Sequence, residues 1–91
     1  MTDPLKALRR QFVDRCRADR DRLEKLEPGD KETALITHRL AGAAGAFGFP
    51  GLGRIAADID VRIRNGEPPC RQDLDNLRRG LAQAVDQDGG A

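Results

Sequence analysis

Four stretches of this chain repeat apolar residues at three- and four-residue spacing, and proline or glycine breaks separate them, a pattern that suits amphipathic helices. Asp3-Pro4 is a cap followed by a first-turn proline. From there Leu5, Leu8, Phe12, Cys16, Leu23 and Leu26 keep helical spacing up to Pro28-Gly29, with one polar gap at Asp19 and Arg20. This reads as one long helix, or as a short extra N-terminal helical segment running into a longer one. Asp30 caps a second helix, which turns Ile36, Leu40, Ala43 and Phe47 inward and stops near Gly48. Phe49 precedes a proline and so avoids helical angles, which lets Pro50 open a third helix. Its apolar face is Leu52, Ile55, Ala56, Ile59 and Ile63, and Asn65-Gly66 is a left-handed close. After Pro68-Pro69, Leu74, Leu77, Leu81 and Val85 define the last helix, and residues 86–91 are expected to fray. Runs of β-branched residues suited to strands are missing. Four such helices with short connections predict an all-α, antiparallel four-helix bundle.

Ninety-one residues suffice for one domain, spanning 1–91, with a modest core. Charged residues make up 34% but nearly cancel, to a net charge of +1, so no overall field favours nucleic acid or an anionic membrane. Arg9, Arg10, Arg15, Arg17, Arg20 and Arg22 are interleaved with Asp14, Asp19 and Asp21, as on a solvated helix face with local ion pairs. The longest uncharged stretch, Leu40 to Gly53, is too short and too glycine-rich to span a bilayer. With no apolar signal segment, a cytoplasmic protein is expected, and a monomer. Cys16 and Cys70 have neither metal-ligand spacing nor the density of a disulfide framework; Cys16 reads as core and Cys70 as a residue near the start of the last helix.

His38 is the sole histidine. At about 100° per residue, Ile36, Leu40, Ala43 and Phe47 fall in a stripe roughly 60° wide and His38 lies roughly 160° from its middle, so burying the stripe turns the imidazole outward. Ala34, Ala41, Gly42 and Gly45 share that side, with Lys31 two turns earlier. Glycine inside a helix costs roughly 0.5–1 kcal/mol relative to alanine, so two beside one histidine need a reason. Close approach of another backbone is one; packing against a neighbouring helix, or a helix ending at Gly42 or Gly45, are the others.

The segment from Ala34 to Ile63, and above all His38-Arg39-Leu40-Ala41-Gly42-Ala43-Ala44 with Phe47-Gly48, resembles histidine-containing phosphotransfer (HPt) domains of phosphorelays. The resemblance implies a four-helix bundle with a phosphorylatable histidine exposed midway along one helix. It also implies receiver domains of response regulators as partners, and a sensor histidine kinase, hybrid or not, upstream. The family usually has lysine three residues after the histidine, as an electrostatic aid to the phosphorylated ring. Here that position is Ala41, which leaves Arg39 or Lys31 to supply charge.

An exposed imidazole is largely uncharged near neutral pH, so one ring nitrogen offers a lone pair for attack on phosphorus. Along the sequence no carboxylate cluster lies near His38 to hold a metal, and no GxxxxGK[ST] loop cradles ATP. The chain therefore reads as a phosphocarrier without kinase activity: His38 is the phosphoacceptor, Arg39 and Lys31 are phosphate-supporting, and Ala34, Ala41, Gly42 and Gly45 form the docking surface. It binds no cofactor or metal itself, and Mg²⁺ is expected in the partner receiver. A zinc site lacks ligands, and an independent acid–base enzyme lacks a carboxylate paired with the histidine. Gly51-Leu52-Gly53-Arg54-Ile55-Ala56 fits a dinucleotide fingerprint, but no strand precedes it; its glycines suit a turn and close helix packing. The competing reading, motivated by Ala41, is a helical module that docks receivers or kinases without carrying phosphate.

Overall fold

The computed structural model describes residues 3–89. Four α-helices and one 3-10 turn account for most of them, with no strand: α1 (Pro4–Leu23), α2 (Lys31–Ala43), the turn Gly45–Phe47, α3 (Pro50–Arg64) and α4 (Arg71–Gly89). The chain begins α1 as its sequence dictates. Asp3 is extended, its Oδ1 accepts the Leu5 N–H at 3.0 Å, and Pro4 fills a position whose N–H would be unpaired.

Side-chain pairs fix the topology. Arg9 lies 3.4 Å from Asp88, Arg39 reaches back to Asp19, His38 meets Asp60, and Arg62 holds Asp73. Arg22 near the end of α1 also pairs with Glu32 at the start of α2, and Gly53 at the start of α3 lies against Gly45 just past α2. The Arg62–Asp73 and Arg9–Asp88 pairs join late to early positions, so successive helices run antiparallel. The core between them is aliphatic, with Val13, Cys16, Leu23, Leu40, Leu74, Leu77 and Leu81 fully enclosed. At one end Phe12 stacks on Phe47 and Phe49, with ring centroids 5.0 and 5.9 Å apart.

Some boundaries differ from the sequence reading. The first helix is a single piece with no separate N-terminal segment. Leu5 and Leu8, expected among its buried residues, are 72% and 47% exposed. The reason is length: α1 has 20 residues and α4 has 19, against 13 and 15 for α2 and α3, so the first turns of α1 have no helix of the shorter pair beside them. The α-helical part of α2 ends at Ala43, and the chain continues as the 3-10 turn to Gly48, whose φ of 92° is a left-handed close. Gly45 is therefore in that turn and not in α2. Residues 86–89, expected as part of a frayed tail, are helical; Gly90 and Ala91 lie outside the described residues. Asn65-Gly66 closes α3 as expected: Glu67 N–H reaches the Arg62 carbonyl at 2.9 Å and Gly66 N–H the Ile63 carbonyl at 3.0 Å, the paired bonds of a Schellman cap.

The polar gap at Asp19 is a buried ion pair. Asp19 is 4% exposed, and both its oxygens accept from Arg39, at 2.8 and 2.9 Å. Two buried threonines of α2 are satisfied locally. Thr37 Oγ1 donates to the Thr33 carbonyl at 2.7 Å, and Thr33 Oγ1 to the Glu27 carbonyl at 2.8 Å in the preceding loop. The Thr33 bond ties the first turn of α2 to the preceding loop and so helps set the rotation of the helix, and with it the direction of His38.

Candidate functional site

The imidazole of His38 stands out from α2 with 71% of its side chain exposed. The ring is nonetheless held. Its Nδ1 lies 3.2 Å from Oδ1 and 3.3 Å from Oδ2 of Asp60 on α3, a carboxylate that is itself 10% exposed. A carboxylate can only accept, so Nδ1 is the donor in this contact, and in the uncharged ring the lone pair is on Nε2. Arg64 also approaches this carboxylate, bringing its Nε to 3.4 Å from Oδ2.

Sequence reasoning missed Asp60. It lies 22 residues from His38, and only the antiparallel register of α2 and α3 brings them together. The signal was present in the third helix: Asp60 falls four residues after Ala56 and eight after Leu52, so it continues the apolar stripe with a charged residue. The expectation that His38 has no paired carboxylate is thus corrected.

The four small residues of the expected docking surface are not equivalent. Gly42 is exposed, and a Cβ built on it would meet nothing within 4 Å; the same is true of Gly45. Among the described residues, no contact requires either glycine. Ala34 and Ala41 are half-buried, and Ala41 packs against the hydrophobic core. Gly53, by contrast, does serve packing, since its Cβ would come to 3.3 Å from the Gly45 backbone nitrogen, where α3 crosses the 3-10 turn. Two exposed apolar residues join this surface without having been expected there: Leu35, one turn before His38 and 69% exposed, and Val61, beside Asp60 and 46% exposed.

The two cations expected to support a phosphoryl group are elsewhere. Arg39 points toward α1, because the buried Asp19 takes both its terminal nitrogens. Lys31 is exposed at the first turn of α2, roughly 10 Å of helical rise from His38. Arg64 is the arginine that shares a carboxylate, Asp60, with the His38 ring.

Among the described residues no group of three or more His, Cys, Asp or Glu side chains is placed to hold a metal ion, and no helix is long and apolar enough to cross a membrane. Both cysteines are free. Burial, reinforced by Asp19, pushes the Cys16 thiol up to about 11, while Cys70 is exposed ahead of α4.

The family model for the Hpt domain matches residues 7–87, nearly the whole chain. This protein belongs to the Hpt domain family. Hpt domains are helical bundles that relay phosphoryl groups through histidine in phosphorelay signalling and interact with receiver domains and kinases. No curated protein and no solved structure matches the chain. Within this Hpt domain, the α2–α3 register sets the exposed imidazole against a buried carboxylate.

Proposed function

We propose that this Hpt domain accepts a phosphoryl group on Nε2 of His38 from the aspartyl phosphate of a response-regulator receiver and passes it to a second receiver. One observation carries the reading: His38 is exposed while a buried carboxylate holds its Nδ1, so the other nitrogen is presented as a nucleophile.

In the forward step the Nε2 lone pair attacks phosphorus. The Nε2–P bond forms, the acyl phosphate P–O bond breaks, and the receiver's aspartate leaves as a carboxylate. Positive charge that develops on the ring is met by Asp60 through the Nδ1–H bond. Asp60 also fixes the ring plane and tautomer, as a carboxylate does behind a metal-bound or catalytic histidine. The reverse step returns the phosphoryl group to the aspartate of the second receiver and regenerates the same tautomer, so no base is consumed. One imidazole and one carboxylate are too few to hold a divalent ion, and we assign Mg²⁺, which offsets charge on the phosphoryl oxygens, to the receiver.

A receiver must bring its aspartate to about 3–3.5 Å from Nε2 before transfer. Gly42 leaves the turn above the ring bare, and Leu35 and Val61 offer apolar contact on either side. We assign this rim, with Ala34, Ala41 and Gly45, as the receiver's footprint. In the test, the purified domain is mixed with a phosphorylated receiver and Mg²⁺. Acid-labile, alkali-stable label on the wild type and none on His38→Gln is the expected result. Saturable binding without label on the wild type would replace the reading with that of a docking module.

A further inference from the structure

Ala41 leaves the site without the lysine that usually follows the histidine, and neither Arg39 nor Lys31 is placed to replace it. We propose that Arg64 is the phosphate-binding cation of this site, supplied across the helix interface from the last turn of α3. The proposal rests on the phosphotransfer reading above.

Three observations point to it. First, Arg64 is close: it and Nδ1 of His38 share the same oxygen of Asp60, at 3.4 and 3.3 Å. Its guanidinium is thus within about 7 Å of the ring, inside the Debye length of about 8 Å at physiological ionic strength. Second, Arg64 is loosely held. Arg39 and Arg62 each close two bonds on a buried carboxylate, at 2.8 and 2.9 Å and at 2.7 and 3.2 Å. Arg64 instead approaches through Nε at 3.4 Å, longer than a good N–H···O hydrogen bond, with 64% of its side chain exposed. Third, the charge balance requires a cation. A phosphorylated imidazole adds about −1.5 to −2 charge beside Asp60, if it resembles other phosphorylated side chains. Among the described residues Arg64 is the arginine paired with Asp60 before transfer, and afterwards its terminal nitrogens can donate to the phosphoryl oxygens while Nε stays near Oδ2. A guanidinium suits that bridge, because its planar set of donors can serve two acceptors at once.

The experiment uses phosphoramidate as donor, so no receiver is needed. The Nε2–P bond forms as the donor's P–N bond breaks, and ammonia leaves. Phosphohistidine is followed by ³¹P NMR during loading and again after the donor is removed. Arg64→Ala is expected to raise the KM for phosphoramidate and shorten the phosphohistidine lifetime by about five- to tenfold, the size of a partly exposed charge-assisted contact, with Arg64→Lys between it and the wild type. Circular dichroism should show the helix content of both variants unchanged, since Arg64 is exposed near the helix end.

A double-mutant cycle with Asp60→Asn separates contact from simple neutralisation. If Arg64 touches the phosphoryl group, Arg64→Ala keeps most of its effect when combined with Asp60→Asn. Loss of the effect in that combination would overturn the proposal and reduce Arg64 to a counter-ion of Asp60. Wild-type kinetics in Arg64→Ala would overturn it outright and leave phosphotransfer standing. Absence of phosphohistidine on the wild type would overturn both.

Discussion

Replacing Gly42 with leucine should move stability and transfer in opposite directions. A Cβ at Gly42 would meet nothing within 4 Å, and the residue does not adopt a positive φ, so a side chain there extends into solvent without strain. Removing a helical glycine gains about 0.5–1 kcal/mol, and the gain should fall near the lower figure because Gly42 is one residue from the end of α2. For a domain of this size, 1 kcal/mol corresponds to about 4–8 °C, so Tm should rise by roughly 2–4 °C. The same side chain stands one helical turn above His38 and fills the space a receiver needs. A misplacement of about 1 Å can cost about 10²-fold in rate, so transfer from a phosphorylated receiver should slow by about that factor or more. Loading by phosphoramidate, which is small, should change little. Gly42→Ala should show the same rise in Tm with a much smaller loss of rate. The assay pairs thermal melts by circular dichroism with a time course of label transfer. An unchanged transfer rate in Gly42→Leu would refute the docking face, and a fall in Tm would refute the open space above the ring.

Two further outcomes are expected from the core. Asp19→Ala strands the Arg39 guanidinium beside a cavity and should lower Tm by roughly 10–20 °C, from a loss of about 2–3 kcal/mol, somewhat under the usual cost for a fully buried pair because Arg39 is one-third exposed. The joint change Asp19→Leu with Arg39→Met should recover much of it, as read from the same melts. In the native protein at pH 8, a thiol-specific alkylating reagent should label Cys70 and spare Cys16, whose thiol is raised to about 11; mass spectrometry after unfolding in urea should show Cys16 labelled at full rate.

Much of the fold was legible because its signals are local. Asp3-Pro4, Phe49-Pro50 and Asn65-Gly66 mark helix ends through backbone chemistry that neighbours do not alter, and the structure keeps all three. His38 faces outward, as its angle from Ile36 and Leu40 requires. What escaped the sequence depends on partners distant along the chain. Asp19 looked like a break in an apolar stripe until α2 brought Arg39 to it. Arg39 looked available to the histidine beside it because that buried carboxylate was unseen. Asp60 and Arg64 enter the site only through the pairing of α2 with α3. Leu5 and Leu8 fit the helical period, yet periodicity carries no information on where the neighbouring helix stops.

The greater length of α1 and α4 has a practical corollary. Arg9 near the start of α1 sits against Asp88 near the finish of α4, so the described part of the polypeptide enters and leaves through one doorway, past the Gly45–Phe47 turn. A fluorophore or tether fixed at either extremity would therefore pull on the same end of the molecule and leave the mid-helix imidazole unobstructed, which makes the two attachment points interchangeable for single-molecule work.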